Sequence, residues 1–258
     1  MSVLDYSAVT EKAGDRVTQE ALSMLYARYR FASEFSRGKR LLEVACGEGI
    51  GLRYLAQQAG HAIGGDVTAE LIDSARRLSP RTLPLLRLSA DALPLGTATR
   101  DVVVCYEAMY YIERFPSFLQ ECRRVLTPQG VLLLCTVNPE WLDFNPSPHS
   151  RRYYSAHQLS VLLQEAGFQS ESFGAFSTAK ASARALCLSW LKRVAVKWHL
   201  IPSTMDGKQL LKRLFLGHLV PFPSTVQEGM AAYTAPQPVP SDRPVDGYKV
   251  LFMVARPA

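Results

Sequence analysis

"LLEVACGEGIG", residues 41–51, decides how the rest of the chain is read. Leu41 and Leu42 begin an apolar strand that carries one acid, Glu43, and runs into a turn with glycines at 47, 49 and 51. A glycine-rich turn after a strand can cradle a phosphate, hold a nucleotide or simply reverse the chain. A phosphate loop needs G-x-x-x-x-G-K-[ST], and no lysine stands here, so a Walker-type NTPase is excluded. A dinucleotide fingerprint counted from Gly47 and Gly49 puts Leu52 at the third glycine position, where its bulk opposes close helix–strand packing.

Working outward, residues 15–36 have helical spacing, with Val17, Leu22, Leu25, Tyr29 and Ala32 on one face. Strands are expected at 39–44, 61–66, 83–91, 101–106, 131–137, 168–176 and 248–255. "DVVVCY" (101–106) and "VLLLCTV" (131–137) are apolar throughout, as strands buried on both faces should be. Helices are expected from the glycine turn to about residue 60, at 69–78 capped by Thr68, from Pro116, and at 156–166. Ser155 and Gln158 form a capping-box pattern before the last of these, and Gly167 ends it. "TPQG" (127–130) is expected to turn the chain between a helix and a strand. Strands alternating with helices imply an α/β fold, mostly parallel, with helices on both faces of the sheet.

The 258 residues are 48% hydrophobic, enough for a sizeable core. No apolar run reaches the length of a membrane span. The first residues lack the basic flank and apolar stretch of a secretory signal. The five cysteines (46, 105, 122, 135, 187) form no C-x-x-C pair and sit mostly in apolar stretches. They read as buried reduced thiols of a cytoplasmic protein, with no metal site. The net charge of +6 is concentrated: 179–218 carries +7, and the remainder −1.

Positions further along the chain give the glycine turn its context. Asp66 ends the second strand, 17 residues after Gly49. Asp91 follows the third strand in "SADALPL", and "RRVLTPQGVLLL" (123–134) joins a helix to the fifth strand. In this order and spacing the segments resemble motifs of the class I S-adenosylmethionine-dependent methyltransferases, nearest to the group acting on small molecules. The resemblance covers about 15–175 and the last strand. It implies a Rossmann-like, seven-stranded, mostly parallel sheet whose last strand is antiparallel, with a helical insertion before that strand. The chain then reads as a single domain over 1–258: an N-terminal helical segment (1–38), a cofactor-binding core (39–177), a basic helical insertion or lid with a Pro-rich linker (178–247), and a final strand (248–258).

The resemblance implies S-adenosylmethionine as cofactor. Glu43, Ala45, Cys46, Gly47 and Gly49 would meet its methionine part, with Glu43 near the ammonium group. Alanine stands at 45 where glycine is commoner in this family, and it is small enough for the turn. Asp66 with Val67 would hold the ribose hydroxyls, Asp91 and the next amide, Ala92, the adenine edge. Tyr106 stands at the fourth strand's end. "YARYRFA" (26–32) resembles a helix in which the arginine, here Arg28, lies near the cofactor carboxylate; a solvated helix arginine is the plain alternative.

Methyl transfer from an activated sulfonium needs positioning above all, and an alcohol acceptor also needs a base. His149, in a polar loop after the fifth strand, is the first choice as base, with an exposed loop histidine as its plain reading. Glu107 either orders the cofactor loop or takes the proton. Tyr111, beside Tyr110, either walls the transfer site or belongs to the core. His157 reads as solvated. No "[DN]PP[YF]" stands after the fourth strand, where "CYEAM" is found, which argues against nucleobase or peptide-amide acceptors.

The basic segment has three readings: a lid over the substrate, an interfacial pair of helices with Leu186, Trp190, Trp198 and Phe215 among its lysines and arginines, or a nucleic-acid surface. The lid leads, because an insertion there borders the active edge of this fold, and its charge suits an anionic, carrier-linked or nucleotide-linked acceptor. No RNA-binding module accompanies it, so nucleic acid is the weakest. The sequence reading is a methyltransferase acting on a small molecule, at a hydroxyl of a secondary metabolite or glycan intermediate. The alternatives are N- or C-methylation, or a protein of the same fold that uses its cofactor otherwise.

Overall fold

The structure is a computed structural model that describes residues 5–147, 149–178 and 219–258. Its elements in chain order are β1 (Arg16–Thr18), α1 (Gln19–Ser36), β2 (Arg40–Val44), α2 (Ile50–Ala56), β3 (His61–Asp66), α3 (Ala69–Leu78), β4 (Leu85–Arg87), β5 (Arg100–Tyr106), a 3-10 turn (Met109–Tyr111), α4 (Phe115–Val125), β6 (Leu126–Val137), α5 (Ala156–Glu165), β7 (Phe168–Ser177), β8 (Leu219–Pro221), β9 (Gln237–Pro238) and β10 (Tyr248–Pro257).

Among the described residues the main sheet has eight strands in the order β4-β3-β2-β5-β6-β10-β7-β9. The pairings β4–β3, β3–β2, β2–β5 and β5–β6 are parallel. β10 runs antiparallel to both β6 and β7. The chain leaves β2 toward β3 and β4 on one side, then returns to lay β5 on the other. This reversal opens a crevice at the carboxyl ends of β2 and β5, where ligands of open α/β sheets bind.

Side-chain alternation builds one core on each face of the sheet. Val102, Val104, Leu133 and Phe252 pack with residues of α1, α2 and α3. Val103, Cys105, Leu132, Leu134 and Met253 pack with α4 and α5. Both residue sets of β5 are therefore buried, which explains its unbroken apolar sequence. Cys46, Cys105, Cys122 and Cys135 are buried free thiols, and Cys187 lies outside the described residues.

Several expectations need correction. The helix expected at 15–36 begins at Gln19, because Arg16–Thr18 pairs antiparallel with Leu219–Pro221, a partner about two hundred residues away that periodicity cannot reveal. The third strand is only Leu85–Arg87. Thr68 occupies the N-cap of α3 without capping it through its side chain; its hydroxyl instead accepts from the Tyr6 amide at 3.2 Å. "TPQG" lies inside β6: Leu126 faces Arg100 and Val131 faces Val102, so the segment bulges out of a longer strand. The main sheet has an eighth strand, β9, formed within the Pro-rich linker. The Ser155–Gln158 capping box is present. The basic stretch 179–218, with its expected helices, lies outside the described residues. The return segment after it is docked: the hydroxyls of Tyr26 and Tyr54 donate to Glu228, and Arg30 Nε lies 3.5 Å from it.

α1 crosses α2 with the Tyr29 ring seated directly on Gly51, where any Cβ would overlap the ring. At Leu52 the expected tight packing is met from the other side: a Cβ on Gly64 of β3 would collide with the Leu52 side chain. The bulk moved from strand to helix, and the glycine moved from helix to strand. Gly51→Ala must displace the Tyr29 ring, and overpacking of this kind costs about 1–3 kcal/mol. Urea denaturation should show an unfolding free energy lowered by that amount, with an earlier midpoint.

Candidate active site

A cavity of about 440 Å³ fills the crevice beyond β2 and β5. The turn after β2 forms its floor. Ala45, Gly47 and Gly49 have φ of 59°, 55° and 73°, a left-handed run in which only the small residue at 45 bears a Cβ. Asp66, 6% exposed at the end of β3, locks the turn. The Gly47 amide donates to its Oδ2 at 3.0 Å, and the Thr68 amide to its Oδ1 at 2.9 Å. Burial raises the Asp66 pKa against these backbone donors. Each oxygen keeps a lone pair for a further donor.

Ala45, Cys46, Gly47, Asp66, Val67, Asp91, Tyr106, Glu107, Tyr111 and Arg28 all line the cavity, so most sequence-selected residues meet at one place. Arg28 is buried, with Glu11 Oε2 at 3.3 Å and Glu107 Oε1 at 3.8 Å. Burial works against its charge, but the two carboxylates outweigh this and raise its pKa. Glu107 has φ 51° and receives the Tyr110 hydroxyl at 3.1 Å. Burial pushes the Glu107 carboxyl up, with Arg28 opposing. The Tyr111 hydroxyl pairs with Ser147, while Tyr110 stacks on Tyr153.

Four sequence-selected residues lie elsewhere. Gly49 caps α2 behind the cavity wall. The Ala92 amide, expected at the adenine edge, is taken by the Ser89 carbonyl at 3.3 Å and does not line the cavity. His149 is exposed, at φ 64°, outside the cavity lining, although its loop sends Ser147 and Arg151 into that lining. Glu43, expected near the ammonium group, is 1% exposed and sits behind Tyr29, whose hydroxyl donates to Oε1 at 2.7 Å. It does not line the cavity. His157, read as solvated, is exposed on α5, with the Ser241 carbonyl at 2.8 Å from Nδ1.

Sequence reading missed the N-terminal segment, which it joined to the first helix. Tyr6, Thr10 and Glu11 line the cavity, and the Thr10 methyl lies 3.0 Å from where a Gly47 Cβ would be. It also missed Glu48, which receives the Ala13 amide at 3.1 Å and the Ser74 hydroxyl at 2.7 Å. Neither carries a periodic or motif signal; both are set by tertiary contacts.

The lining is unfinished in a telling way. Arg28 Nε, Asp91 Oδ1 and the Tyr106 hydroxyl are buried without a hydrogen-bond partner. A buried polar atom left unpaired costs about 1–3 kcal/mol, so a polar ligand that meets these atoms would be strongly favoured here. A nucleoside carrying an amino-acid tail fits that donor set: a cation for a carboxylate, two acids for hydroxyls and an amine, and a glycine turn for close approach. Among the described residues no cluster of acids, histidines and cysteines could hold a metal, and no helix is long and apolar enough to cross a membrane.

Known proteins resemble parts of this chain. Residues 42–134 match the family described as "Methyltransferase domain". A Mycolicibacterium smegmatis protein, named a probable S-adenosylmethionine-dependent methyltransferase, is 34% identical over 140 residues, covering 52% of this chain and 53% of its own length. A fatty-acid O-methyltransferase of the same organism is 33% identical over 132 residues, covering 50% and 47%. The chain spans about half the length of the curated relatives it matches. A solved S-adenosylmethionine-dependent methyltransferase from Archaeoglobus fulgidus has the same fold, with a TM-score of 0.59 over 91% of this chain and 94% of that one, at 14% identity.

Burial raises the Glu43 pKa from the ordinary 4.5 to about 8, with Tyr29 and Arg53 opposing. In the fold this carboxyl keeps its proton through that range, while the unfolded chain releases it near 4.5. The fold thus binds the extra proton, and its contribution to stability falls as pH rises between those values. Urea titrations across that window should show this decline in the wild type and a flatter profile in Glu43→Gln, which keeps the acceptor for Tyr29.

Proposed function

We propose that this chain is a class I S-adenosylmethionine-dependent methyltransferase and that it transfers the cofactor's methyl group to an oxygen of a small-molecule acceptor. One observation carries the reading. A single cavity is lined both by the Gly47 turn with Asp66 and Asp91 and by Tyr111, Ser147 and Arg151. The first set suits a nucleoside donor, and the second leaves a mixed aromatic and cationic wall for an acceptor.

S-adenosylmethionine supplies a methyl group already activated on a sulfonium. The chain's residues then bind and orient. The free lone pairs of Asp66 would accept from vicinal ribose hydroxyls, and Asp91 Oδ1, buried without a partner, would accept from the adenine amine. Arg28 would pair with the carboxylate. Holding donor and acceptor in line converts a two-body encounter into a positioned one, which can remove about 7–11 kcal/mol of the barrier.

An alcohol acceptor must lose its proton as the new bond forms. Glu107 serves this better than His149. It lies on the cavity wall, and its raised pKa brings a carboxylate nearer neutrality, where it can both accept and hold a proton. Tyr110 and Arg28 hold it in place. Tyr111, tied to Ser147, walls the acceptor side. Arg151 lines the same side with its guanidinium half exposed, 3.7 Å from Glu113, and suits an anionic group on the acceptor. The acceptor class is a hydroxyl-bearing metabolite or glycan intermediate; the fatty-acid O-methyltransferase among the relatives supports oxygen as the methylated atom.

The test has two stages. S-adenosylhomocysteine should raise the melting temperature, and incubation with S-adenosylmethionine and a panel of alcohols, acids and amines should yield a methylated product by mass spectrometry. No stabilisation at millimolar ligand would overturn the reading. Binding with no product across acceptor classes would favour a protein that uses its cofactor for another purpose. Asp66→Ala should weaken S-adenosylhomocysteine about tenfold or more in calorimetry, since it removes a charge-assisted acceptor. Glu107→Gln should lower kcat on an alcohol acceptor about a hundredfold or more. His149→Ala should leave it unchanged.

A further inference from the structure

We infer that Glu11, on the segment preceding β1, is the residue that receives the ammonium group of the cofactor's amino-acid tail. This rests on the reading of the cavity as the cofactor site. The tail is a zwitterion, so its subsite needs a cation and an anion side by side. Among the described residues the cavity has one buried cation, Arg28, and Glu43 is shielded from the cavity behind Tyr29.

The carboxylates of the lining narrow the choice. Asp66 is held by two backbone amides, Glu48 by the Ala13 amide and the Ser74 hydroxyl, and Asp91 by Arg114 at 3.0 Å. Glu107 is fixed by Tyr110 and a left-handed backbone. Glu113 is paired with Arg151. Glu11 differs. It is half exposed, and its described side-chain partner is Arg28 Nη2 at 3.3 Å.

The segment that carries Glu11 is tethered on both sides of it. The Tyr6 amide donates to Thr68 Oγ1 at 3.2 Å, and the Tyr6 hydroxyl to the Tyr111 carbonyl at 3.4 Å. The Ala13 amide donates to Glu48, and the Gly14 amide to the Phe222 carbonyl at 2.9 Å. Thr10 sits over Gly47. The backbone of Glu11 is therefore held at the cavity lining, with its side chain half exposed and turned to Arg28. The Arg28–Glu11 pair is the complement of a zwitterion. A tail inserted between them replaces one ion pair by two, carboxylate on Arg28 and ammonium on Glu11, with no charge left over. If the tail's carboxylate merely displaced Glu11, the ammonium group would lose this partner.

The experiment is a calorimetric cycle on the full chain with two ligands: S-adenosylhomocysteine and its analogue lacking the amino group. The wild type should bind the analogue about tenfold more weakly, the size of a partly exposed charge-assisted hydrogen bond. Glu11→Gln should lose about tenfold for S-adenosylhomocysteine and should no longer distinguish the two ligands. Glu11→Asp should restore part of the discrimination. Equal weakening of both ligands in Glu11→Gln would overturn the assignment and make Glu11 a tether of the segment only. Tighter binding of S-adenosylhomocysteine by Glu11→Gln would overturn it too, and make Glu11 a competitor for Arg28. If the wild type bound neither ligand, the cofactor reading of the cavity would fail and the assignment with it. If it bound both equally, only the ammonium subsite would fail.

Discussion

The hydrogen bond from Tyr29 to Glu43 organises the side of the cavity that α1 and the glycine turn form. A carboxyl group 1% exposed in the central strand would be costly if charged, so it holds its proton and takes one donor. That donor comes from α1, which must lie close enough for the Tyr29 ring to rest on Gly51 of α2. One interaction therefore ties α1 to β2 and α2 together. Arg28, the preceding residue on α1, is thereby carried into the cavity beside Glu107. The buried acid serves the site by placing the helix that supplies the cation.

A second constraint is the balance of charge around the cavity. Six carboxylates line it, with two arginines, Arg28 and Arg151, among the described lining residues. Most of the acids are hydrogen-bonded by backbone amides or hydroxyls, or paired with arginines. The backbone amides that hold Asp66 also fix the glycine turn and the start of α3. The Arg28 end is less complete: Arg28 keeps an unpartnered Nε, and its nearest acid is half exposed. Preorganisation is thus strongest at the glycine turn and weakest around Arg28.

Segments distant in the chain close the structure around this site. Residues 5–15 cover the glycine turn, and 219–233 return to α1 and α2 through Glu228, Ser224 and the β1–β8 pair. Both depend on the Rossmann-like core for their partners. The strand Arg16–Thr18 shows why they escape local reading. Its three residues share the helical spacing of α1, and only a partner about two hundred residues away makes them extended.

The sequence by itself determined the α/β class, the mostly parallel sheet, the two buried central strands, the capping box of α5 and ten of the residues that line the cavity. Those features are written in local periodicity, in turn chemistry and in the spacing of acids after successive strands, which the chain direction converts into one crevice. Only the tertiary structure decided which of those residues face it. Glu43 is turned inward by a helix that crosses it, Ala92 spends its amide on Ser89, and His149 stays in solvent while Ser147 and Arg151 reach the wall. Conversely Tyr6, Thr10, Glu11 and Glu48 reach the cavity only because the folded core offers Thr68, Ser74 and Phe222 as partners. Spacing along a chain states which side chains arrive at a strand's end. Whether one points into a cavity depends on what packs behind it, and that partner is set by contacts between distant residues.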